Sequence, residues 1–292
     1  MIKGSVVALV TPFNKKGKVN SRKLKELLSF HLANKTDGIL LFGTTGEGST
    51  LSFKEKVKIG KVSARFIKNR VPIILNASSN STYEAMRLTR RLSRLNIDAL
   101  LHITPYYNKS NEEGVYTHFK MISEISRVPI ILYNVPSRTN YDIPISLIKR
   151  LKEIPNIVGI KEASRNEEKL LELNKLQDKN FSWYSGNDDR MIEDIKMGAK
   201  GLIGVVNNSH PKLVKEIVFE AILGNYKISE YKYSKLKKYI EALSLEVNPI
   251  PIKCALNYLN FDVGNFRLPL YKMSEQNKKI LINVLEEIKW RY

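Results

Sequence analysis

Short apolar runs alternate with longer amphipathic runs along the first 223 residues of the chain. The short runs cover 5–10, 38–42, 72–76, 98–103, 129–133, 156–161, 181–185 and 201–206. Their length and lack of polar alternation predict strands buried on both faces. The runs between them, 21–34, 52–68, 81–95, 111–126, 144–152, 166–177, 188–197 and 211–223, repeat their apolar positions at helical spacing. Ser21 and Ser52 are expected to cap the first two helices, and Glu55 completes a capping-box pattern with Ser52. Strands alternating with helices predict parallel βαβ units. Eight such units in this length fit a closed (β/α)8 TIM barrel better than an open sheet.

After residue 223 the strand pattern stops. Three helices are predicted, at 226–245, 252–259 and 274–288, with Asn248-Pro249-Ile250-Pro251 separating the first two. The division is a barrel over 1–224 and a C-terminal helical appendage over 225–292. No loop has dinucleotide-binding or Walker spacing: Gly43-Thr44-Thr45-Gly46-Glu47-Gly48 places its glycines differently.

Composition narrows the classes. The 292 residues are 43% hydrophobic and 26% charged, as in a globular protein. No apolar run approaches the roughly 18 residues that would cross a bilayer. The apolar N-terminal run ends at Thr11-Pro12 without a cleavage-site pattern, so the expected location is the cytoplasm. The single cysteine, Cys254, forms no intramolecular disulfide. The four histidines are scattered, and no metal site is expected. The net charge of +19 raises nucleic-acid binding as a rival class. Against it, lysines spread over many segments without a basic tail, zinc finger or RNP-type motif, so solvated surface is the expectation and neither nucleic acid nor membrane is expected as a partner.

In a barrel the chemistry lies at the C-terminal strand ends. Those ends here carry Gly43-Thr44-Thr45-Gly46-Glu47, Thr104-Pro105-Tyr106-Tyr107-Asn108, Tyr133 through Arg138-Thr139, Lys161, and Ser185-Gly186-Asn187-Asp188. Lys161 ends an apolar strand. Either its amine snorkels to water, or burial lowers its pKa and makes it a carbonyl nucleophile. Taken singly, the glycine-rich turn is equally a plain strand–helix turn, the tyrosines packing residues, and Arg138 a surface ion-pair group. Together they supply an amine, hydroxyl proton carriers and a guanidinium for a carboxylate, the groups Schiff-base chemistry needs.

The stretches GTTGE, TPYYN, YNVPSRT, GIKEA and NPIPIK together resemble the pyruvate-dependent class I aldolase family of dihydrodipicolinate synthases and N-acetylneuraminate lyases. The resemblance spans the whole chain. It implies that Lys161 forms an imine with pyruvate, with Tyr133, Thr44 and Tyr107 as a proton relay in which Tyr107 reaches a neighbouring subunit's site. Thr45, Arg138, Gly186 and Ile203 are implied substrate-binding residues. Arg138, usually absent from the sialic-acid lyases, implies L-aspartate 4-semialdehyde as the second substrate and a place in lysine biosynthesis. No cofactor is implied, and the implied assembly is a homotetramer built as a dimer of dimers. Residues matching Ser49, Asn80, Glu84 and Tyr106 bind lysine in inhibited relatives. Phe53 and Lys56 stand where some sensitive relatives carry histidines, so Lys56 joins that candidate allosteric set as a cation that repels a cationic effector yet can hold its carboxylate.

Overall fold

A computed structural model describes residues 2–288; residue 1 and residues 289–292, at the outer edges of the two expected regions, lie outside the described residues. The strands are β1 (Gly4–Ala8), β2 (Gly38–Leu41), β3 (Ile73–Asn76), β4 (Ala99–Ile103), β5 (Ile130–Asn134), β6 (Ile157–Glu162), β7 (Ser182–Ser185) and β8 (Gly201–Gly204). They form a closed parallel barrel in sequence order, with β1 pairing β8.

The interleaved helices are α1 (Ser21–Ala33), α2 (Phe53–Ile67), α3 (Thr82–Leu92), α4 (Glu112–Ile125), a short α5 (Pro136–Thr139), α6 (Ile145–Lys152), α7 (Glu167–Lys175), α8 (Met191–Lys196) and α9 (Pro211–Ile222). The capping box at Ser52 is present, with Ser52 and Glu55 each accepting the other's backbone N–H. Ser21 is instead the first residue of α1, and Asn20 caps it by accepting from the Lys23 amide.

Alternate residues on each strand face opposite ways. Val6, Ala8, Leu40, Leu101, Tyr133 and Ile203 pack inside the barrel, whereas Val7, Leu9, Leu41, Leu100 and Leu132 join the larger core between barrel and helices. That parity turns Tyr133 on β5 and its register partner Lys161 on β6 inward together.

Two expected elements differ. The eighth strand ends at Gly204 rather than Val206, because the Val205 and Val206 amides donate to the Asp188 carboxylate instead of continuing the ladder. The helix expected from 188 starts with a 3-10 turn, Asp188–Arg190, before α8.

The appendage holds four helices among the described residues, not three: α10 (Tyr226–Ser234), α11 (Lys237–Ala242), α12 (Ile250–Tyr258) and α13 (Glu275–Glu287). The continuous helix expected over 226–245 breaks at Lys235-Leu236. There the Leu236 amide bonds to the Tyr233 carbonyl, and the chain turns to bury Leu236, Tyr239 and Ile240.

Candidate active site

A cavity of about 320 Å³ opens at the C-terminal end of the barrel. Thr44 and Thr45 beyond β2, Tyr133 and Arg138 from β5 and α5, Lys161 on β6 and Gly186 through Asp189 beyond β7 line it. The appendage adds Ile240, Leu243, Ser244 and Asn248 to the lining, a contribution absent from the sequence reading.

Lys161 is 5% exposed, so its amine does not snorkel to bulk water. Burial pulls its pKa down to about 8, Arg138 pushes the same way, and Asp188 opposes both. Its Nζ lies 4.6 Å from the centroid of the Tyr133 ring. The buried Tyr133 phenol is pushed up to about 12, chiefly by desolvation, against the Arg138 charge and a hydrogen bond with Thr44. It therefore stays protonated at neutral pH and can donate, accept and return a proton. Gly186 is required beside the lysine. A Cβ there would stand 3.0 Å from Lys161 Cε and 2.9 Å from the Ala163 methyl carbon.

Asn248 bridges Thr45 and Arg138. Its side-chain amide donates to Thr45 Oγ1 (3.0 Å), and its main-chain carbonyl accepts from Arg138 (3.1 Å). Asp188, to which sequence reasoning gave no role, is half-buried and lines the same cavity as Lys161. Desolvation raises its carboxyl to about 6, although two backbone amides and Lys161 favour the anion.

Two residues named from the sequence are not in the lining of this cavity. Ile203 does not line the cavity; as an inward position of β8 it lies in the packed layer with Tyr133 and Ala8. Tyr107, at φ 73° and 93% exposed, is not in the lining of its own chain's cavity.

A second cavity, of about 430 Å³, shares Thr44 and Arg138 with the first. Ser49, Lys56, Glu84 and Tyr106 line it, and the Asn80 side chain donates to the Tyr106 carbonyl at its edge. Burial lowers the pKa of Lys56. Among the described residues no cluster of three or more His, Cys, Asp or Glu is placed to hold a metal ion, and no helix is long and apolar enough to cross a membrane.

Residues 1–288 match the family described as the dihydrodipicolinate synthetase family. The 4-hydroxy-tetrahydrodipicolinate synthase of Clostridium novyi is 41% identical over 286 residues, covering 98% of this chain and 96% of that one. The crystal structure of dihydrodipicolinate synthase from Aquifex aeolicus superposes with a TM-score of 0.95 at 38% identity, over 98% of this chain and 97% of that chain. The Acinetobacter baumannii dihydrodipicolinate synthase, solved in complex with pyruvate, gives a TM-score of 0.96 at 40% identity, over 99% of each chain.

Proposed function

The chain belongs to the dihydrodipicolinate synthetase family, and from that premise we propose that Lys161 is its Schiff-base lysine. The reaction is the condensation of pyruvate with L-aspartate 4-semialdehyde, the lyase-class step that opens the diaminopimelate route to lysine. The observation that carries the assignment is the buried Lys161 amine over the Tyr133 ring, within a cavity that also holds Thr44, Thr45 and Arg138.

The neutral amine adds to the pyruvate ketone, and loss of water gives the imine. Tyr133, hydrogen-bonded to Thr44, moves the protons of addition and dehydration. The imine withdraws electrons from the neighbouring methyl carbon, which loses a proton to give an enamine. The turn at Thr44-Thr45 holds the pyruvate carboxylate. Arg138 binds the carboxylate of the semialdehyde and so presents its aldehyde to the enamine. After the carbon–carbon bond forms, the substrate's own amine attacks the imine carbon and displaces Lys161, which closes the ring and frees the enzyme.

Tyr107 of a second copy completes the relay, which makes a dimer the smallest active unit and a homotetramer the full assembly. Its exposure in its own chain supports that role. The second cavity is an effector site in which Lys56 disfavours the ammonium of lysine and accepts its carboxylate. Weak inhibition by L-lysine that strengthens in Lys56→His is the expected result.

A steady-state assay with pyruvate and L-aspartate 4-semialdehyde, run beside N-acetylneuraminate cleavage, tests the substrate. Turnover of the semialdehyde alone is expected. Cleavage of the sugar acid alone would keep the Lys161 chemistry and remove the assigned second substrate.

A further inference from the structure

The motif NPIPIK at 248–253 has no part in the chemistry above, yet Asn248 lines the site and Lys253 bonds Glu47, two residues beyond Thr45. Lys253 is 0% exposed on α12, and its Nζ lies 2.7 Å from Glu47 Oε1, also 0% exposed. The Thr11 and Asn265 carbonyls take further bonds from Nζ, and Phe13 and Phe266 offer it their ring faces. The second Glu47 oxygen accepts from the Arg267 amide (3.1 Å).

Glu47 is held with φ at 52°, a left-handed conformation that a non-glycine residue adopts at a cost. Its amide donates to the Thr44 carbonyl (3.0 Å). The Lys253–Glu47 pair thus fastens the turn that carries Thr44 and Thr45. Five residues earlier, Asn248 holds the Thr45 hydroxyl and the Arg138 guanidinium. A fully buried ion pair is weak as a device for stability, because desolving two charges offsets most of their attraction. Fixing geometry is the use that remains.

We propose that Asn248 and Lys253 are positioning residues, which set the pyruvate-binding turn Thr44-Thr45 and its spacing from Arg138 from outside the barrel. The inference rests on the pyruvate chemistry proposed above. Displacements of about 1 Å remote from reacting atoms lower rates by up to roughly 100-fold.

The test compares wild type, Asn248→Ala and the double variant Glu47→Gln/Lys253→Met, which removes both buried charges so that neither is left alone. Each is incubated with a series of pyruvate concentrations and reduced with borohydride. Modification of Lys161 is followed by mass spectrometry, with kcat and KM for both substrates and the thermal midpoint measured in parallel. The expected result is a pyruvate half-saturation raised about 10- to 100-fold in both variants, with Lys161 still fully trapped at saturating pyruvate. Folded variants that trap pyruvate at the wild-type half-saturation overturn the inference. A wild-type protein that traps none overturns the pyruvate chemistry instead. If the double variant does not fold, Asn248→Ala, at a half-buried position, decides the matter.

Discussion

Lys161 and Tyr133 are register partners on adjacent strands, and the lysine nitrogen sits 4.6 Å from the centre of the tyrosine ring. Strand pairing alone fixes this relationship, since inward positions at the same height of neighbouring strands face one cavity. The amine and the phenol are thus brought together by the barrel itself, without a mobile loop.

Tyr133→Phe keeps the ring beside the lysine and removes only the hydroxyl. Turnover is expected to fall by roughly 100- to 10,000-fold, the range for a lost acid–base group, while the fold and the pyruvate adduct at saturating pyruvate remain. Stopped-flow and steady-state rates check this. Near-wild-type turnover would take Tyr133 out of the mechanism.

If Lys161 captures pyruvate, it does so as the neutral amine, and burial pulls its pKa down to about 8. The kcat/KM for pyruvate is therefore expected to rise with pH and level off above about 8. Asp188 favours the ammonium form, so Asp188→Asn lowers the lysine pKa and moves this limb to lower pH. A pH–rate profile that moves to higher pH would contradict the placement of Asp188.

Burial lowers the four histidines in the fold, His31, His102 and His210 to about 3 and His118 to about 4. The unfolded chain binds these protons near pH 6.5, and the folded chain does not. Their contribution is present above pH 6.5 and is lost as the pH falls, by roughly 1.4 kcal/mol per pH unit for each histidine. Urea midpoints measured from pH 7.5 to 5 are expected to fall steadily. A flat series would show that the histidines are not held neutral.

If Tyr107 serves a neighbour's site, Lys161→Met and Tyr107→Phe subunits complement each other. A mixed dimer then holds one site with both residues intact. Equal mixing after dissociation is expected to give about a quarter of wild-type activity, from half the dimers with one good site each. Activity no greater than the average of the two separate variants would assign Tyr107 to its own chain.

The barrel was legible because each strand–helix unit announces itself locally, through apolar run length, helical spacing and caps such as Ser52. The rule that strand ends carry chemistry then gathered Lys161, Tyr133, Thr44, Thr45 and Arg138 into one cavity, as the structure places them. The illegible parts depend on contacts between distant residues. Asn248 meets Thr45 across 203 positions and Arg138 across 110, and no periodicity encodes either contact. Asp188 ends β8 early by taking the Val205 and Val206 amides, a competition invisible in an apolar run. The break at Leu236 likewise follows from tertiary burial overriding helix propensity.

The most direct test of Lys161 as the Schiff-base lysine is borohydride reduction of the wild-type protein with pyruvate, followed by peptide mapping. A single reduced pyruvate adduct on Lys161, absent from Lys161→Met, is expected. An adduct on another lysine, or none under conditions where the protein turns over, would contradict it.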